Sequence, residues 1–256
     1  MRDLPEPPRI ELRDVQKSFG AKPVLTGVSL KVMRGESLVI IGGSGSGKSV
    51  TLKCVLGILK PDAGAILIDG RPFGQIDQRA FLRHFGMLFQ GGALFDSLTV
   101  WQNVAFRLRH ARKPLSRTEA RDLAIAKLAR VGLAPETADL YPSELSGGMQ
   151  KRVGLARAIA TDPEVIFFDE PTAGLDPILA GVINELIREL VTEMGATAIT
   201  ITHDMTTVRT VADRVAMLHD GRVRWQGPIA DMATSGDPYL DQFIHGRAEG
   251  PIETVR

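Results

Sequence analysis

Eight residues, Gly42 to Ser49, have the types and spacing of a loop that binds nucleotide phosphates. They match the pattern G-x-x-x-x-G-K-[ST] in full. Glycines let the backbone curl so that successive N–H groups point at one anion. Lys48 is then expected to reach the β- and γ-phosphates, with Ser49 on a magnesium ion. The residues predicted to contact the nucleotide in this segment are Gly42, Gly43, Ser44, Gly45, Ser46, Gly47, Lys48, Ser49 and Val50.

A Gly/Ser-rich octamer can also be a flexible loop without a ligand, so the flanking segments decide between the two interpretations. The apolar run Ser37–Ile41 is typical of a buried strand, and Val50–Leu56 reads as the first turns of a helix. The helix N-terminus adds a partial positive charge where the phosphates would lie. The order of strand, loop and helix therefore favours a nucleotide site.

Two carboxylates, Asp169 and Glu170, follow the apolar run Val165–Phe168. Asp169 suits a magnesium ligand, directly or through water, because Mg²⁺ prefers hard oxygen donors and keeps several waters. Glu170 points elsewhere and is the candidate general base that polarises an attacking water. An ordinary pair of acids at a strand end is the alternative, and the phosphate loop favours the catalytic interpretation.

A second Ser/Gly element lies at Leu145–Gln150, immediately before a helical pattern. Ser146 offers a capping hydroxyl, and Gly147 and Gly148 expose backbone donors at the positive end of the helix dipole. The same residues could serve only as a cap or a loop. With the phosphate loop, the chain has two helix starts suited to phosphate.

The order of apolar strands and helical patterns predicts an α/β fold. An antiparallel β region opens the chain, a helical insertion runs from about Thr99 to Ala160, and strands return at Val165–Phe168 and Ala198–Thr202. A helix from Pro177 to about Glu193 separates these last two strands. The predicted hairpins turn at Asp69-Gly70 and Asp220-Gly221.

Composition excludes several classes of protein. The 256 residues are 44% hydrophobic, enough for a substantial core. The 31 Lys and Arg nearly balance 30 Asp and Glu, so a global basic field for nucleic acid is missing. No apolar run is long enough to span a bilayer, and Met1–Pro8 has no hydrophobic signal core, which predicts a cytoplasmic protein. The single cysteine, Cys54, is expected to be a buried structural thiol.

From Ile10 to about Gly227 the sequence strongly resembles the ATP-binding cassette (ABC) ATPases. The resemblance implies that Ser146, Gly147, Gly148 and Gln150 form the signature motif, which completes the site of an opposing protomer. It places Phe19 against the adenine ring, and it makes Gln90 the glutamine that touches magnesium or the attacking water and links the site to a membrane partner. Asp176 falls in the loop that crosses the dimer interface, and His203 falls where a histidine bonds the γ-phosphate.

Each of these positions also has a plain structural alternative. Phe19 could be a core residue, Gln90 a surface loop residue, Asp176 a helix cap before Pro177, and His203 a structural residue at a strand end.

The resemblance implies a P-loop NTPase of the ABC ATPase type, with an antiparallel β subdomain and an inserted α-helical subdomain. The expected boundaries are 9–98 with 161–228 for the core, 99–160 for the helical subdomain and 229–256 for a C-terminal tail. ATP and Mg²⁺ are the expected ligands, with Lys48, Gln90, Glu170 and His203 catalytic and Ser49, Gln90 and Asp169 on the metal. Hydrolysis is expected to be coupled to transport by a homodimer.

Three segments are similar to the ATPase subunits of Mla/MCE-type phospholipid transporters: Leu88–Asp96 with Asn103-Val104, Ser143–Met149, and Gln242–Gly246. This resemblance implies a complex on the cytoplasmic face of the inner membrane of a Gram-negative envelope. The partners would be a multispanning (MlaE-like) permease, an MCE-domain (MlaD-like) protein and, in some relatives, a STAS-domain (MlaB-like) subunit.

Two rival functions share the nucleotide chemistry. Another ABC importer or exporter, for amino acids, metals or lipoproteins, is the closer one because cargo contacts the permease. A soluble ABC ATPase of DNA repair or translation is disfavoured, because the chain has neither a coiled-coil insertion nor a second cassette, and its net charge is +1.

Overall fold

The computed structural model describes residues 6–253. The predictions for the N-terminal end and for the tail concern, in part, residues 1–5 and 254–256, which lie outside the described residues. The described chain separates into two compact units, one formed by residues 6–78 with 201–253 and the other by residues 79–200. The predicted helical segment 99–160 lies within the second unit.

Ten strands and nine α-helices are found in residues 6–253. The strands are β1 (Ile10–Phe19), β2 (Lys22–Val32), β3 (Ser37–Ile41), β4 (Ala63–Ile68), β5 (Arg71–Pro72), β6 (Phe85–Leu88), β7 (Val165–Asp169), β8 (Thr197–Ile201), β9 (Arg214–His219) and β10 (Arg222–Pro228). The helices are α1 (Lys48–Val55), α2 (Gln78–Arg83), α3 (Val100–Val104), α4 (Phe106–Arg109), α5 (Arg117–Arg130), α6 (Gly147–Ala158), α7 (Pro177–Met194), α8 (Met205–Val211) and α9 (Pro238–His245).

The first unit contains the predicted antiparallel β region. Its strands lie in the order β2-β1-β4-β5, and β1 pairs with both β2 and β4 in antiparallel register. In the same unit β10, β9 and β3 are neighbours in that order, with β3 parallel to β9 and the hairpin β9–β10 antiparallel, as predicted. Every residue of β3 is buried, as its unbroken apolar sequence predicts. Cys54, on α1, is also buried, and burial raises the pKa of its thiol.

The second unit contains the predicted helical segment and the neighbouring strands β8, β7 and β6 in that order. β6 and β7 are parallel, and the first four residues of β7 are buried. Helix α6 begins at Gly147 because Ser146 caps it, as its capping hydroxyl predicts. Helix α7 ends one residue later than expected, where Gly195 adopts the left-handed conformation of a C-terminal cap.

Residues 246–253 fold back on α9, the last helix of the first unit. Gln242 of α9 is buried, and its amide binds both backbone groups of Ile252, at 2.7 Å for the N–H and 3.1 Å for the carbonyl. The same Nε2 donates to the carbonyl of Arg247 at 3.2 Å. One side chain therefore fixes the segment that follows the helix.

Close backbone packing fixes α6 against β6, which yields a stability prediction. A Cβ added to Gly86 would lie 2.2 Å from the carbonyl oxygen of Ala158, the last residue of α6. Gly86→Ala is therefore expected to lower the free energy of unfolding by about 1–3 kcal/mol through overpacking. In a chain of this size that corresponds to a loss of about 2–4 °C in melting temperature per kcal/mol.

The matched control is Gly181→Ala on α7, where an added Cβ meets no atom within 4 Å. Alanine in a helix is favoured over glycine, so this variant is expected to melt at or above the wild-type temperature. Equal melting temperatures for the two variants would contradict the packing argument.

Candidate functional site

The phosphate loop in the first unit has a backbone that requires glycine. Gly42, Gly45 and Gly47 have φ values of 148°, 77° and 104°, in the region that other residues avoid. At Gly42 a Cβ would lie 2.2 Å from the carbonyl oxygen of Leu218, and at Gly47 2.6 Å from a methyl carbon of Leu25. The motif glycines therefore satisfy both a conformational and a packing constraint.

Lys48 begins α1 and turns back over the loop. Its Nζ donates to the carbonyl oxygens of Gly42 at 2.6 Å and Gly43 at 3.0 Å. The ammonium is thus held inside the curve of the loop, where it can meet an anion cradled by the loop's amides. Lys48 therefore lies against the loop, and its predicted contact with the β- and γ-phosphates stays a prediction.

His203 lies in the same unit, on the short segment between β8 and α8. The N–H of the preceding residue, Thr202, donates to the carbonyl of Ile40 at 3.3 Å, which sets this segment beside the strand that leads into the phosphate loop. The His203 side chain is exposed. The structure therefore brings the His203 segment and the end of β3 together.

Asp204 fixes the direction in which this segment continues. Its carboxylate caps α8 by accepting from the N–H of Thr206 at 2.9 Å and from the Thr207 hydroxyl at 2.8 Å. Burial alone would raise the pKa of Asp204, but these hydrogen bonds outweigh it and hold the pKa below its usual range. Sequence reasoning did not identify Asp204, although Asp before a short helical pattern is an N-cap signal.

Phe19 is the last residue of β1, and its side chain is 49% exposed. The Nζ of Lys17 lies 5.9 Å from the ring centroid. The alternative that Phe19 is a core residue is therefore wrong, and its exposed ring is available for the predicted stacking.

The second unit contains Asp169 and Glu170 at the end of β7, both half-buried. Glu170 adopts φ 47°, a left-handed conformation that is rare for a residue with a side chain. The next residue is Pro171, and residues before proline favour extended conformations. The main chain therefore turns sharply at Glu170, directly after the strand ends at Asp169.

The signature element starts α6 in the predicted manner. The Oγ of Ser146 accepts from the N–H of Met149 at 3.3 Å, and Gly147 and Gly148 form the first turn. The side-chain amide of Gln150 turns back to donate to the carbonyls of Pro142 at 3.0 Å and Leu145 at 3.4 Å. Gln150 therefore braces the loop before the helix, and its predicted contact with a second copy stays a prediction.

Gln90 is exposed, two residues beyond the end of β6 in the second unit. The segment after it is fastened to α6 by Arg157, whose guanidinium donates to the carbonyls of Gly92 at 2.7 Å and Ala93 at 2.9 Å. Sequence reasoning missed Arg157, because an arginine in a helical pattern carries no signal that its partners are carbonyl oxygens.

Asp176 is the N-cap of α7. One carboxylate oxygen accepts from the N–H groups of Ile178 at 3.0 Å and Leu179 at 3.1 Å, and Pro177 occupies the first helical position. The structural alternative for Asp176 is therefore present, and a role at a dimer interface is compatible with it.

Taken by unit, the predicted residues form two groups. The first unit holds Phe19, the phosphate loop from Gly42 to Val50, and His203, whereas the second holds Gln90, the signature residues, Asp169, Glu170 and Asp176.

Within residues 6–253 no group of three or more His, Cys, Asp and Glu side chains could hold a metal ion. In that described range, too, no helix is long and apolar enough to cross a membrane.

Comparison with known proteins assigns the class of this fold. In solved structures the chain is similar to a dimeric ATP-binding cassette, MJ0796, bound to ADP and phosphate, with a TM-score of 0.76 and 33% identity over 86% of this chain and 98% of that one. It is also similar to cbiO1 from Clostridium perfringens, part of an ABC transporter complex, with a TM-score of 0.79 and 31% identity over 94% of this chain and 96% of that one. The predicted fold class is thereby confirmed: the chain has the α/β P-loop fold of an ABC ATPase.

The family model described as ABC transporter matches residues 25–173. A chloroplast protein of Arabidopsis thaliana, trigalactosyldiacylglycerol 3, is 42% identical over 95% of this chain and 75% of its own length. The probable ribonucleotide transport ATP-binding protein mkl of Mycobacterium tuberculosis is 41% identical over 95% of this chain and 68% of its own. The chain belongs to the ABC transporter family and is an ATPase that binds ATP.

The Asp204 cap yields a prediction about pH. Its folded-state pKa is lowered, so its contribution to stability is present above the ordinary pKa of an aspartate and is lost as pH falls through the lowered value. Asp204→Ala is expected to cost about 0.5–2 kcal/mol at pH 7, the range for a lost N-cap. The difference in melting temperature between wild type and variant should shrink as the pH falls from 5 towards 2 (about the window of a lowered aspartate pKa).

Asp122→Ala is the matched control, because Asp122 is exposed within α5 and is not a cap. A gap between wild type and Asp204→Ala that stays constant with pH would contradict the capping role.

Proposed function

We propose that this chain is the ATP-hydrolysing subunit of an Mla/MCE-type phospholipid transporter. The observation that carries the cargo assignment is the sequence of Leu88–Asp96 with Asn103-Val104, which resembles that group. In support, a relative whose name contains that of a glycerolipid matches 95% of the chain. A relative named for a different cargo, the methionine import protein MetN of Brucella abortus, matches less of the chain. It is 41% identical over 87% of this chain and 60% of its own length.

The proposed chemistry begins with the triphosphate in the phosphate loop. The amides of the loop and the ammonium of Lys48 bind the phosphates, and the exposed ring of Phe19 stacks on adenine. His203 bonds the γ-phosphate. Each role uses a residue that the first unit holds near its loop or leaves accessible to solvent.

In the proposed hydrolysis, Glu170 acts as the general base for the attacking water and Gln90 orients that water. Three residues offer oxygen ligands for Mg²⁺: Ser49 a hydroxyl, Gln90 an amide oxygen and Asp169 a carboxylate. A set this small fits an Mg²⁺ ion that phosphates and water also coordinate better than it fits a metal enclosed by protein side chains alone. Mg²⁺ would supply charge neutralisation at the phosphates.

We further propose that two copies close head to tail on ATP, with the phosphate loop of one copy facing Ser146, Gly147 and Gly148 of the other. The dipole of α6 and the backbone amides of Gly147 and Gly148 in its first turn suit that helix to a γ-phosphate. The cycle of closing and reopening is a nucleotide-dependent population shift, passed to a permease through Gln90 and the segment to Ser97.

The remaining proposals follow from the same resemblance. The protein would bind at the cytoplasmic face of the inner membrane, with a permease, an MCE-domain protein and, in some systems, a STAS-domain subunit. The core would comprise residues 9–98 and 161–228, the helical subdomain 99–160 and the tail 229–256.

The assignment of the base is tested by Glu170→Gln. Removing a general base typically costs about 10²- to 10⁴-fold in kcat, whereas ATP binding should persist because the loop is unchanged. The measurement is phosphate release together with binding of a fluorescent ATP analogue. Glu185→Gln on α7, an exposed glutamate, is the matched control and should turn over like wild type. Wild-type turnover by Glu170→Gln would exclude Glu170 as the base.

The cargo is tested by purifying the tagged chain from native membranes and identifying the bound subunits and lipids by mass spectrometry. A permease, an MCE-domain protein and enriched phospholipid are expected. The matched variant is Phe95→Ala, because Phe95 is 44% exposed on the segment proposed to meet the permease. This variant should lose the membrane subunits yet retain basal ATP hydrolysis. Recovery of a permease without an MCE-domain protein or phospholipid would contradict the assignment.

A second candidate function is ribonucleotide transport, favoured by the 41% identity to mkl over 95% of the chain. The same purification separates the two candidates. If added ribonucleosides or ribonucleotides other than ATP stimulate ATP turnover of the purified complex, and phospholipid does not, the second function holds.

A further inference from the structure

Lys151 is a buried lysine on the signature helix that the proposed mechanism does not use. It is the fifth residue of α6, and only 3% of the residue is exposed. Its Nζ donates to the main-chain carbonyl oxygen of Glu170 at 3.4 Å. Burying an ammonium group costs free energy unless the group forms hydrogen bonds or ion pairs. The side chain of Lys151 is therefore held to conformations that keep such a partner.

The charges around Lys151 are those of the strand end that carries the candidate base. Burial lowers the pKa of Lys151, whereas the nearby carboxylates of Glu170 and Asp169 oppose that change. The contact that the structure gives this ammonium is to the main chain, at the carbonyl that joins Glu170 to Pro171.

The backbone of Glu170 needs such support. Its φ of 47° is disfavoured for a residue with a side chain, and Pro171 disfavours it further. The carbonyl of Glu170 accepts from the N–H of Ala173 at 3.2 Å as well as from Lys151. Disfavoured conformations persist where surrounding contacts hold them, and here one of those contacts comes from another element.

We propose that Lys151 is a positioning residue for hydrolysis, which holds the main chain of Glu170 so that its carboxylate points in the productive direction. This inference rests on the proposed role of Glu170 as base. Because Lys151 lies on the helix that Ser146 caps, it also links the orientation of that signature helix to the base of the same chain. A signature helix that shifts on closing would thereby move the general base.

A purely structural role is the competing explanation, and the chain contains a suitable comparison. Lys127 on α5 is also buried, at 8% exposure, and its Nζ lies 2.5 Å from a carboxylate oxygen of Asp162. Lys127 forms an ordinary ion pair that involves none of the residues assigned to ATP. Loss of either lysine should affect folding, but only loss of Lys151 should affect the chemical step.

The experiment uses the full chain with Lys151→Met, Lys151→Arg, Lys127→Met, Glu170→Gln and the double variant Lys151→Met/Glu170→Gln. For each, kcat and KM for ATP, the affinity for a fluorescent ATP analogue and the melting temperature are measured. Lys151→Met should lower kcat about 10- to 100-fold, the range expected from a misplaced catalytic group, with KM within about two-fold of wild type. Lys151→Arg retains a donor and should recover part of kcat, and Lys127→Met should keep kcat.

Non-additivity is the sharpest readout. If Lys151 acts through the Glu170 carboxylate, Lys151→Met should cause no further loss of kcat in the Glu170→Gln background. A full additional loss there would overturn the inference. So would a kcat for Lys151→Met within about two-fold of wild type, or losses of kcat and stability that match those of Lys127→Met.

Failure of this inference can be told apart from failure of the proposed function. If Glu170→Gln abolishes turnover and Lys151→Met does not, only the positioning role is wrong. If Glu170→Gln turns over like wild type, the base assignment itself is wrong, and the positioning role is overturned with it.

Discussion

The phosphate loop depends on one close approach of two backbones, between Gly42 and the carbonyl of Leu218. A methyl group at Gly42 would lie 2.2 Å from that oxygen, and the φ of 148° at the same residue excludes most side chains. The contact is possible because β3, which leads into the loop, lies parallel to β9. Leu218 is the next-to-last residue of β9. The loop can therefore curl around an anion only while these two buried strands keep their register. The core of the first unit and its phosphate site thus depend on the same strand pairing.

In the second unit, helix α6 plays the corresponding part. It begins at the Ser146 cap, Lys151 reaches the main chain of Glu170, Arg157 holds the segment after Gln90, and its last residue packs against Gly86. Three stretches that are far apart in sequence thus meet one helix. Packed elements respond as rigid bodies, so a displacement of α6 is felt at each of these contacts.

The local parts of this arrangement were predictable from sequence, and the long-range parts were not. The strand, loop and helix from Ser37 to Val55 are specified within twenty or so consecutive residues by apolar pattern and glycine spacing. By contrast, Lys151 and Arg157 donate to carbonyl oxygens that lie 19 and 64 residues away in the sequence. Every residue has a carbonyl, so the acceptor leaves no trace in residue type. The left-handed backbone of Glu170 is equally hidden, because the pre-proline rule predicts an extended residue there.

Within the first segment that resembles those of phospholipid transporters, Asn103 shapes the stretch around Phe95, which lies beyond Gln90 and outside the phosphate loop. Asn103 is fully buried, and its amide binds the N–H of Phe95 at 2.8 Å and the carbonyls of Phe95 and Leu98 at 3.1 Å. It thereby holds a segment on which Phe95 is 44% exposed and packs on Phe106 at 4.6 Å. A side chain that satisfies the backbone of an exposed segment fixes the shape offered to a partner and leaves ATP chemistry unchanged. Under the proposed function this segment meets the membrane subunit, so its shape would bear on the partner and not on the hydrolysis of ATP.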